Sequence, residues 1–486
     1  MNRWFKIVPH KDGTRLELDQ AVLKQTTVET FLDWSHETRI DSYSKIFEYK
    51  NIFGRFFWAI CLLTLSVLTM LLLIQIVLDY YQYDVVTQID TITERPIIFP
   101  TITVCNINPF TSIYSQKILL NVSINNYGQD IDNVNVTYDQ VMEYLPNITE
   151  LTKMYVSQKN FSQENKINLG NSIGQYLSVK FGGNLIKQSL NWYFSYDYGN
   201  CIQFNSESIN SSKKQMSYRE GKEYGLTLIY PFLSTDSGVI YPTSISDGLM
   251  VFIHESSFDP ISSDGVSLSF YRETNLAIKK TIKNKSPLPY SDCADLTSFK
   301  SELYDFIINS KKKYRQYDCF NLCRQKLIIQ NCGCYYAKYP ILYDSAPCLN
   351  LTQWVCISRP ENDLNSINQI ECSKVCPLEC DSIAYDMQIS TASYPTDQLW
   401  SLWNYKTCND INIECDNATY PNSSLAFNIY FPYLEYTQIT ESPKTSWFDL
   451  ISQIGGSIGI FLGLSVFHFL EIFEILFLIF YVLLKN

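Results

Sequence analysis

The segment from Gly455 to Glu474, Gly-Gly-Ser-Ile-Gly-Ile-Phe-Leu-Gly-Leu-Ser-Val-Phe-His-Phe-Leu-Glu-Ile-Phe-Glu, is apolar enough to enter a bilayer yet holds four glycines, two serines and two carboxylates. An ionisable group costs at least ~2.5 kcal/mol at the centre of a membrane helix, so it normally faces a partner or a water-filled path. A plain anchor has no use for these glutamates, and the segment reads as the wall of a pore. Gly455, Gly459 and Gly463 recur every fourth residue and strip one helix face of side chains, which suits close helix packing as well as a pore. Gly463 also opens the triplet Gly463-Leu464-Ser465, where a residue without Cβ lets the backbone leave helical geometry and turn a carbonyl toward an ion. The Ser465 hydroxyl either adds an oxygen there or bonds its own backbone. On a continuous helix Glu471 lies ~12 Å below Gly463, with Glu474 on nearly the same face. Rings of these carboxylates in an oligomer attract cations; at the membrane border they merely solvate. His468 reads as a packing or interfacial residue.

The apolar run continues to Leu484, which sets a span over 449–484 and a tail of 485–486. A first block, Phe56 to Leu78, is apolar except for Thr64, Ser66, Thr69 and Gln75, about the ~20 residues a bilayer needs. Residues 1–55 lack the short apolar region of a signal peptide, so 56–78 is expected to be retained. They carry nine Lys or Arg, with Lys45, Lys50 and Arg55 beside the span, which places them in the cytoplasm. Both termini are then cytoplasmic and 79–448 is extracellular. With eight acidic residues in 1–55, most of the formal charge of −11 sits outside, where it concentrates cations or simply solvates. No basic run suggests nucleic acid, and no nucleophile, base and oxyanion-donor arrangement suggests an enzyme.

Two features fit that orientation. Sequons begin at Asn121, Asn135, Asn147, Asn160, Asn210, Asn350, Asn417 and Asn422, all in the loop, and fourteen of fifteen cysteines lie there, leaving only Cys61 in a span. An even cysteine set fits an oxidising exterior. Pro96 to Pro109 reads as a β-branched strand rising from the membrane, and Tyr224 to Tyr230, Leu249 to His254, Val266 to Ile278 and Leu425 to Tyr433 as further strands of one sheet core. Phe110 to Gly199 is peripheral, with a helical run from Tyr138 to Leu151. Cys319 and Cys323 are four apart, as are Cys372, Cys376 and Cys380, so each set lines one face if helical. Antiparallel helices would allow a nested pairing: Cys293 with Cys380, Cys319 with Cys376, Cys323 with Cys372, Cys332 with Cys356, Cys334 with Cys348. Spacing does not select it among the ~945 pairings of ten cysteines. A zinc site at Cys332 and Cys334 is the weaker alternative, lacking a second such pair or a nearby histidine.

The strand Phe99-Pro-Thr-Ile-Thr-Val-Cys-Asn-Ile-Asn108, the cysteine ladder, Gly463-Leu464-Ser465 and Leu470-Glu-Ile-Phe-Glu474 together resemble the degenerin/epithelial sodium channel family, which includes acid-sensing and peptide-gated members. The resemblance covers nearly the whole chain. It implies an α+β membrane protein with two transmembrane helices flanking a large disulfide-rich, β-sheet-centred ectodomain with peripheral helices, in a trimeric acid-sensing-channel-like fold. The regions would be a palm and β-ball, a finger at about 110–200, a cysteine-rich thumb at about 293–395 and a knuckle at about 396–424. It supports the nested ladder and adds Cys105 with Cys201, which leaves Cys408 and Cys415 for each other. It also implies a selectivity filter at Gly463, Leu464 and Ser465, a pore mouth at Ser452 and Gln453 where amiloride acts, and Glu471 and Glu474 along the ion path. Tyr80 or Tyr81 against Tyr290 would couple thumb to membrane helix. The permeant ion would be Na⁺, with no cofactor and no metal.

Departures from the family bear on gating. Asp41 and Ser42 stand where His-Gly is usual in the segment before the first span, and Gln453 replaces an aspartate common in acid-sensing members. His254 is the sole external histidine, and Tyr80 to Asp90 holds none, so a peptide is favoured over protons as the stimulus. The expectation is a trimeric, sodium-selective, ligand-gated channel of the plasma membrane, built from copies or related subunits. A two-span glycosylated scavenger or lipid receptor fits the topology but needs neither the triplet nor Glu471; an ATP-gated receptor lacks its lysine cluster. The absence of Pro-Pro-x-Tyr leaves no such docking motif for a ubiquitin ligase.

Overall fold

A computed structural model describes residues 51–127, 138–170, 178–186, 190–206, 214–230, 243–294, 299–310, 312–359, 366–396, 398–399, 401, 424–465, 467–468, 470 and 473. The chain forms two compact units, Met1–Val86 with Pro443–Asn486, and Thr87–Ser442.

In the first unit α1 spans Ile52–Tyr81, longer at both ends than the expected 56–78. At 1.5 Å per residue it measures about 45 Å, against the ~30 Å hydrocarbon core of a bilayer. Its large apolar side chains, Phe56, Leu63 and Leu71 among them, are exposed, and Thr69 is its one buried residue. A helix apolar all round and uncovered needs an apolar solvent. Thr64, Ser66 and Thr69 satisfy their hydroxyls on the carbonyls of Cys61, Leu63 and Leu65 at 2.7–2.9 Å, so none is left unpaired in lipid. Among the described residues α1 is the one helix long and apolar enough to cross a membrane.

The external unit is built on two sheets. In chain order its elements are β1 (Val85–Thr93), β2 (Ile97–Ile98), β3 (Thr101–Asn106), α2 (Ile113–Tyr127), α3 (Tyr138–Ser157), α4 (Gln163–Ile167), β4 (Ser178–Phe181), β5 (Asn184–Leu185), β6 (Leu190–Ser195), β7 (Gly199–Phe204), β8 (Met216–Ser217), β9 (Leu226–Tyr230), β10 (Leu249–His254) and β11 (Val266–Leu268). The second half gives β12 (Arg272–Asn284), β13 (Cys293–Ala294), α5 (Glu302–Asn309), α6 (Gln316–Cys332), α7 (Leu351–Ile357), α8 (Ser366–Val375), β14 (Leu378–Glu379), β15 (Asp381–Ser393), β16 (Leu425–Tyr430) and β17 (Glu435–Pro443). The larger sheet runs β1-β17-β12-β16-β9-β4-β5 with β15 on β12, and the smaller β11-β10-β3-β7-β6.

The single sheet expected from the strand segments is therefore two. One apolar core joins them: Phe99, between β2 and β3, meets Phe181, Phe204 and Phe431 edge-on with ring centroids 5.0, 6.1 and 5.8 Å away. Strand β3 is buried on both faces, as its unbroken β-branched run requires. The run from Val266 to Ile278 also divides, β11 joining the small sheet and β12 the large one. Tyr271, at φ +60°, turns the chain between them.

The cysteine pairing follows the nested order. Cys293 bonds Cys380, Cys319 bonds Cys376, Cys323 bonds Cys372, Cys332 bonds Cys356 and Cys334 bonds Cys348, with Cys105 to Cys201 across β3 and β7. With Cys332 and Cys334 in disulfides, the zinc alternative falls. Only Cys372 of the expected triplet lies within α8; Cys376 follows its end, and Cys380 sits between β14 and β15. Cys408 and Cys415 lie outside the described residues. A Cβ on Gly225 would stand 2.2 Å from the Ile429 carbonyl oxygen, so Gly225→Ala is expected to strain the β9–β16 pair by about 1–3 kcal/mol. Reduced surface delivery of that variant, measured by biotinylation, checks it.

Candidate functional site

The chain leaves the external unit into α9 (Trp447–Leu462). A capping box starts this helix: the Ser446 hydroxyl accepts from the Asp449 N–H at 3.2 Å, and Asp449 Oδ2 accepts from the Ser446 N–H at 3.0 Å. Helices α1 and α9 pack together. Their adjacent ends are tied by Lys444, whose N–H donates to the Asp84 carbonyl and whose Nζ lies 2.9 Å from Asp84 Oδ2. Aromatic rings collect there, Tyr81, Trp447 and Phe448 exposed and Tyr80 and Tyr83 half-buried. Trp447 and Phe448 are 3.6 Å apart, while Tyr80 and Tyr81 meet edge-on at 5.6 Å with Tyr83 beside them. Such rings settle at a membrane–water border. Tyr290 belongs to the external unit, where its N–H donates to the Pro287 carbonyl at 3.1 Å.

After Leu462 the helix stops. Gly463 adopts the left-handed conformation at φ +66°, and its N–H donates to the Gly459 carbonyl at 3.0 Å. An L-residue pays roughly 1–2 kcal/mol for that geometry, which accounts for glycine here. Leu464 and Ser465 are non-helical, and helical geometry resumes at Phe467 and His468 and again at Leu470 and Phe473. The continuous helix expected through 449–484 is thus interrupted at the triplet. A helix end exposes carbonyls that the next turn would otherwise bond. Glu471, Glu474, Asp41 and Ser42 lie outside the described residues.

At 100° per residue Ser452, Gly455, Gly456, Gly459 and Gly463 fall along one stripe. A Cβ on Gly455 or Gly456 would meet nothing within 4 Å, and one on Gly459 only the Leu464 carbonyl oxygen at 3.6 Å. Close approach of a neighbour at these glycines, expected from their spacing, is not made by α1. Ser452 and Gln453 are exposed as well, so these two residues, Gly455 and Gly456 are uncovered among the described residues.

Several ionisable groups of the external unit have fixed hydrogen-bond partners. His254 is half-buried: its Nδ1–H donates to the Glu255 carbonyl at 2.9 Å, and Nε2 accepts from Thr103 Oγ1 at 2.8 Å. Burial pushes its pKa below the ordinary 6.5, outweighing the Glu255 bond. Asp197 is raised by burial, but Lys338 at 2.9 Å and the Ser262 hydroxyl at 2.7 Å bring it below its ordinary value. Glu150 accepts from Lys153 Nζ at 2.8 Å and Tyr196 OH at 3.1 Å.

The sequons divide. Asn121, Asn160 and Asn350 are exposed, Asn350 also capping α7 by accepting from the Gln353 N–H. Asn147 is half-buried and accepts from Trp354 Nε1 at 3.1 Å. Asn135, Asn210, Asn417 and Asn422 lie outside the described residues. Sequence reading passed over Asn284-Lys285-Ser286, a ninth triplet; Asn284 Nδ2 donates to Asp381 at 3.0 Å and Ser286 to the Glu441 carbonyl at 2.9 Å.

The family model described as amiloride-sensitive sodium channel matches residues 34–475. The chain belongs to that family, whose degenerin and epithelial sodium channel members are ion channels. It is 29% identical over 279 residues to degenerin del-1 of Caenorhabditis elegans, covering 56% of this chain and 39% of that protein. To the epithelial sodium channel gamma subunit of Neoceratodus forsteri it is 26% identical over 287 residues, 57% of this chain and 42% of the subunit. To the degenerin-like protein asic-2 of C. elegans it is 24% identical over 485 residues, 91% of this chain and 85% of that protein. The chain thus spans about two fifths of the first two relatives.

Gly463→Ala is expected to cost roughly 1–2 kcal/mol at the break, whereas Gly456→Ala, helical and open, should gain up to about 1 kcal/mol; thermal unfolding of the detergent-solubilised chain ranks them. Folded His254 takes up its proton less readily than the unfolded chain, so the unfolded state binds more protons just below pH 6.5 and stability falls there as pH drops. His254→Gln should flatten that decline, and an acid-evoked current dependent on His254 would contradict the assignment.

Proposed function

We propose that this chain is a pore-forming subunit of a trimeric, sodium-selective, amiloride-sensitive cation channel of the plasma membrane, opened from outside by a ligand, a neuropeptide rather than protons. The break at Gly463 carries the reading. Non-helical backbone at membrane depth is tolerated only where protein buries it or it borders water, because lipid offers no hydrogen bonds. An anchor would have run straight through. The Asp84–Lys444 tie and the packing of α9 on α1 support a return of the chain into the membrane beside the first span. The triplet would then form the constriction, with Ser452 and Gln453 above it and Glu471 and Glu474 on the cytoplasmic side.

The uncovered glycine stripe supports assembly with copies or with related subunits, since a Cβ-free surface accepts a close neighbour or borders a narrow pore. Relatives named as epithelial sodium channel subunits favour the same arrangement. His254 is lowered chiefly by burial and Asp197, against burial, by Lys338 and Ser262, so both are shifted away from neutral pH, which favours a ligand other than the proton.

Expression in oocytes under voltage clamp tests the reading. A bulky Ser452→Phe side chain at the mouth is expected to hold the gate open and give a constitutive current. Its reversal potential should move negative when external Na⁺ is replaced, and amiloride should block it. Surface protein without cation current, under a peptide panel, acid steps and Ser452→Phe alike, would overturn it.

A further inference from the structure

Gly463-Leu464-Ser465 is pinned at both ends, and the lower pin is a histidine. Above, Gly463 donates its N–H to the Gly459 carbonyl. Below, the Ser465 N–H donates to His468 Nδ1 at 2.9 Å, the Ser465 hydroxyl stands 3.3 Å from the same nitrogen, and the His468 N–H donates back to the Ser465 carbonyl at 3.0 Å. This is one half of a capping box, with Ser465 starting the turn and histidine in the place usually held by Glu or Gln; the His468 N–H closes on the Ser465 backbone carbonyl, not on its hydroxyl. One imidazole therefore takes the Ser465 amide, fixes where its hydroxyl points and leaves the short backbone between the two pins little freedom.

Resting on the channel reading above, we propose that His468 is a positioning residue for selectivity: its unprotonated Nδ1 caps Ser465 and holds the Gly463-Leu464-Ser465 backbone in the geometry that discriminates among alkali cations. The requirement is for an acceptor at residue 468. Glutamine satisfies it in any capping box; leucine does not.

The full-length channel is compared as wild type, His468→Leu and His468→Gln, all in the Ser452→Phe background, with Na⁺/K⁺ permeability ratios taken from reversal potentials and surface protein measured in parallel. A merely structural residue would change current size and leave the ratio alone. His468→Leu should lower the ratio by about threefold or more, the scale on which one lost neutral hydrogen bond shifts an equilibrium, and His468→Gln should restore most of it. Replacing the Ser465 amide by an ester deletes the N–H donor and keeps every side chain; it should reproduce the His468→Leu ratio and make His468→Leu silent when combined. That arm decides the matter should His468→Leu fail to reach the surface. An unchanged ratio in the ester channel, or equal loss in His468→Leu and His468→Gln, would overturn the proposal. Absence of current in the parent channel would instead count against the channel reading.

Discussion

Backbone amides and carbonyls have no partner in hydrocarbon, and the apolar helices α1 and α9 stand differently toward that constraint. Helix α1 meets it by continuity, closing its own ladder over 30 residues and turning the Thr64, Ser66 and Thr69 hydroxyls back onto carbonyls one turn earlier. Helix α9 cannot, because Gly463 turns left-handed and ends the ladder. Each side of the gap is then closed locally, Gly463 on Gly459 and Ser465 on His468.

The external unit solves a different problem, that of connecting strands far apart in sequence. Loop closure over such distances is entropically costly, and the fold answers with one shared apolar core and covalent ties. Phe99 pins the two sheets, and Cys105–Cys201 fastens the centre of the smaller one. In the cysteine-rich region the rungs Cys319–Cys376 and Cys323–Cys372 tie α6 to the end of α8. Each closes a loop of tens of residues, which a chain-entropy estimate values at roughly 4 kcal/mol apiece.

The ladder was legible because four-residue spacing on two segments admits few stereochemically sensible pairings once the family is recognised; spacing by itself left hundreds. The apolar span was legible too, but its ends were not. Composition marks where hydrophobicity falls, whereas the helix continues through Tyr80 and Tyr81. The division at Tyr271 escaped because a positive φ on tyrosine has no sequence signature. For the membrane segment, the sequence identified Gly463 as the place where helical geometry can fail, while a continuous helix was still assumed beyond it. His468 was passed over as packing, although Ser465-Val466-Phe467-His468 has the spacing of a capping box with an unusual fourth member.

The open stripe and the break belong to one helix and need each other. Had Gly455, Gly456 and Gly459 carried side chains, the surface continuing upward from Gly463 would be crowded by methyl groups or larger, and the triplet would be screened from whatever stands opposite. Had Gly463 been helical, the same stripe would be a packing seam ending in lipid. As the chain is built, Ser452 and the glycines leave a bare strip of backbone that leads to the one place where the helical ladder opens. A pore needs such a strip to be narrow without being apolar, because each added methyl would widen the dry stretch a hydrated cation must cross. On the channel reading proposed above, the glycines would set the width of the approach, and the triplet the chemistry at its end.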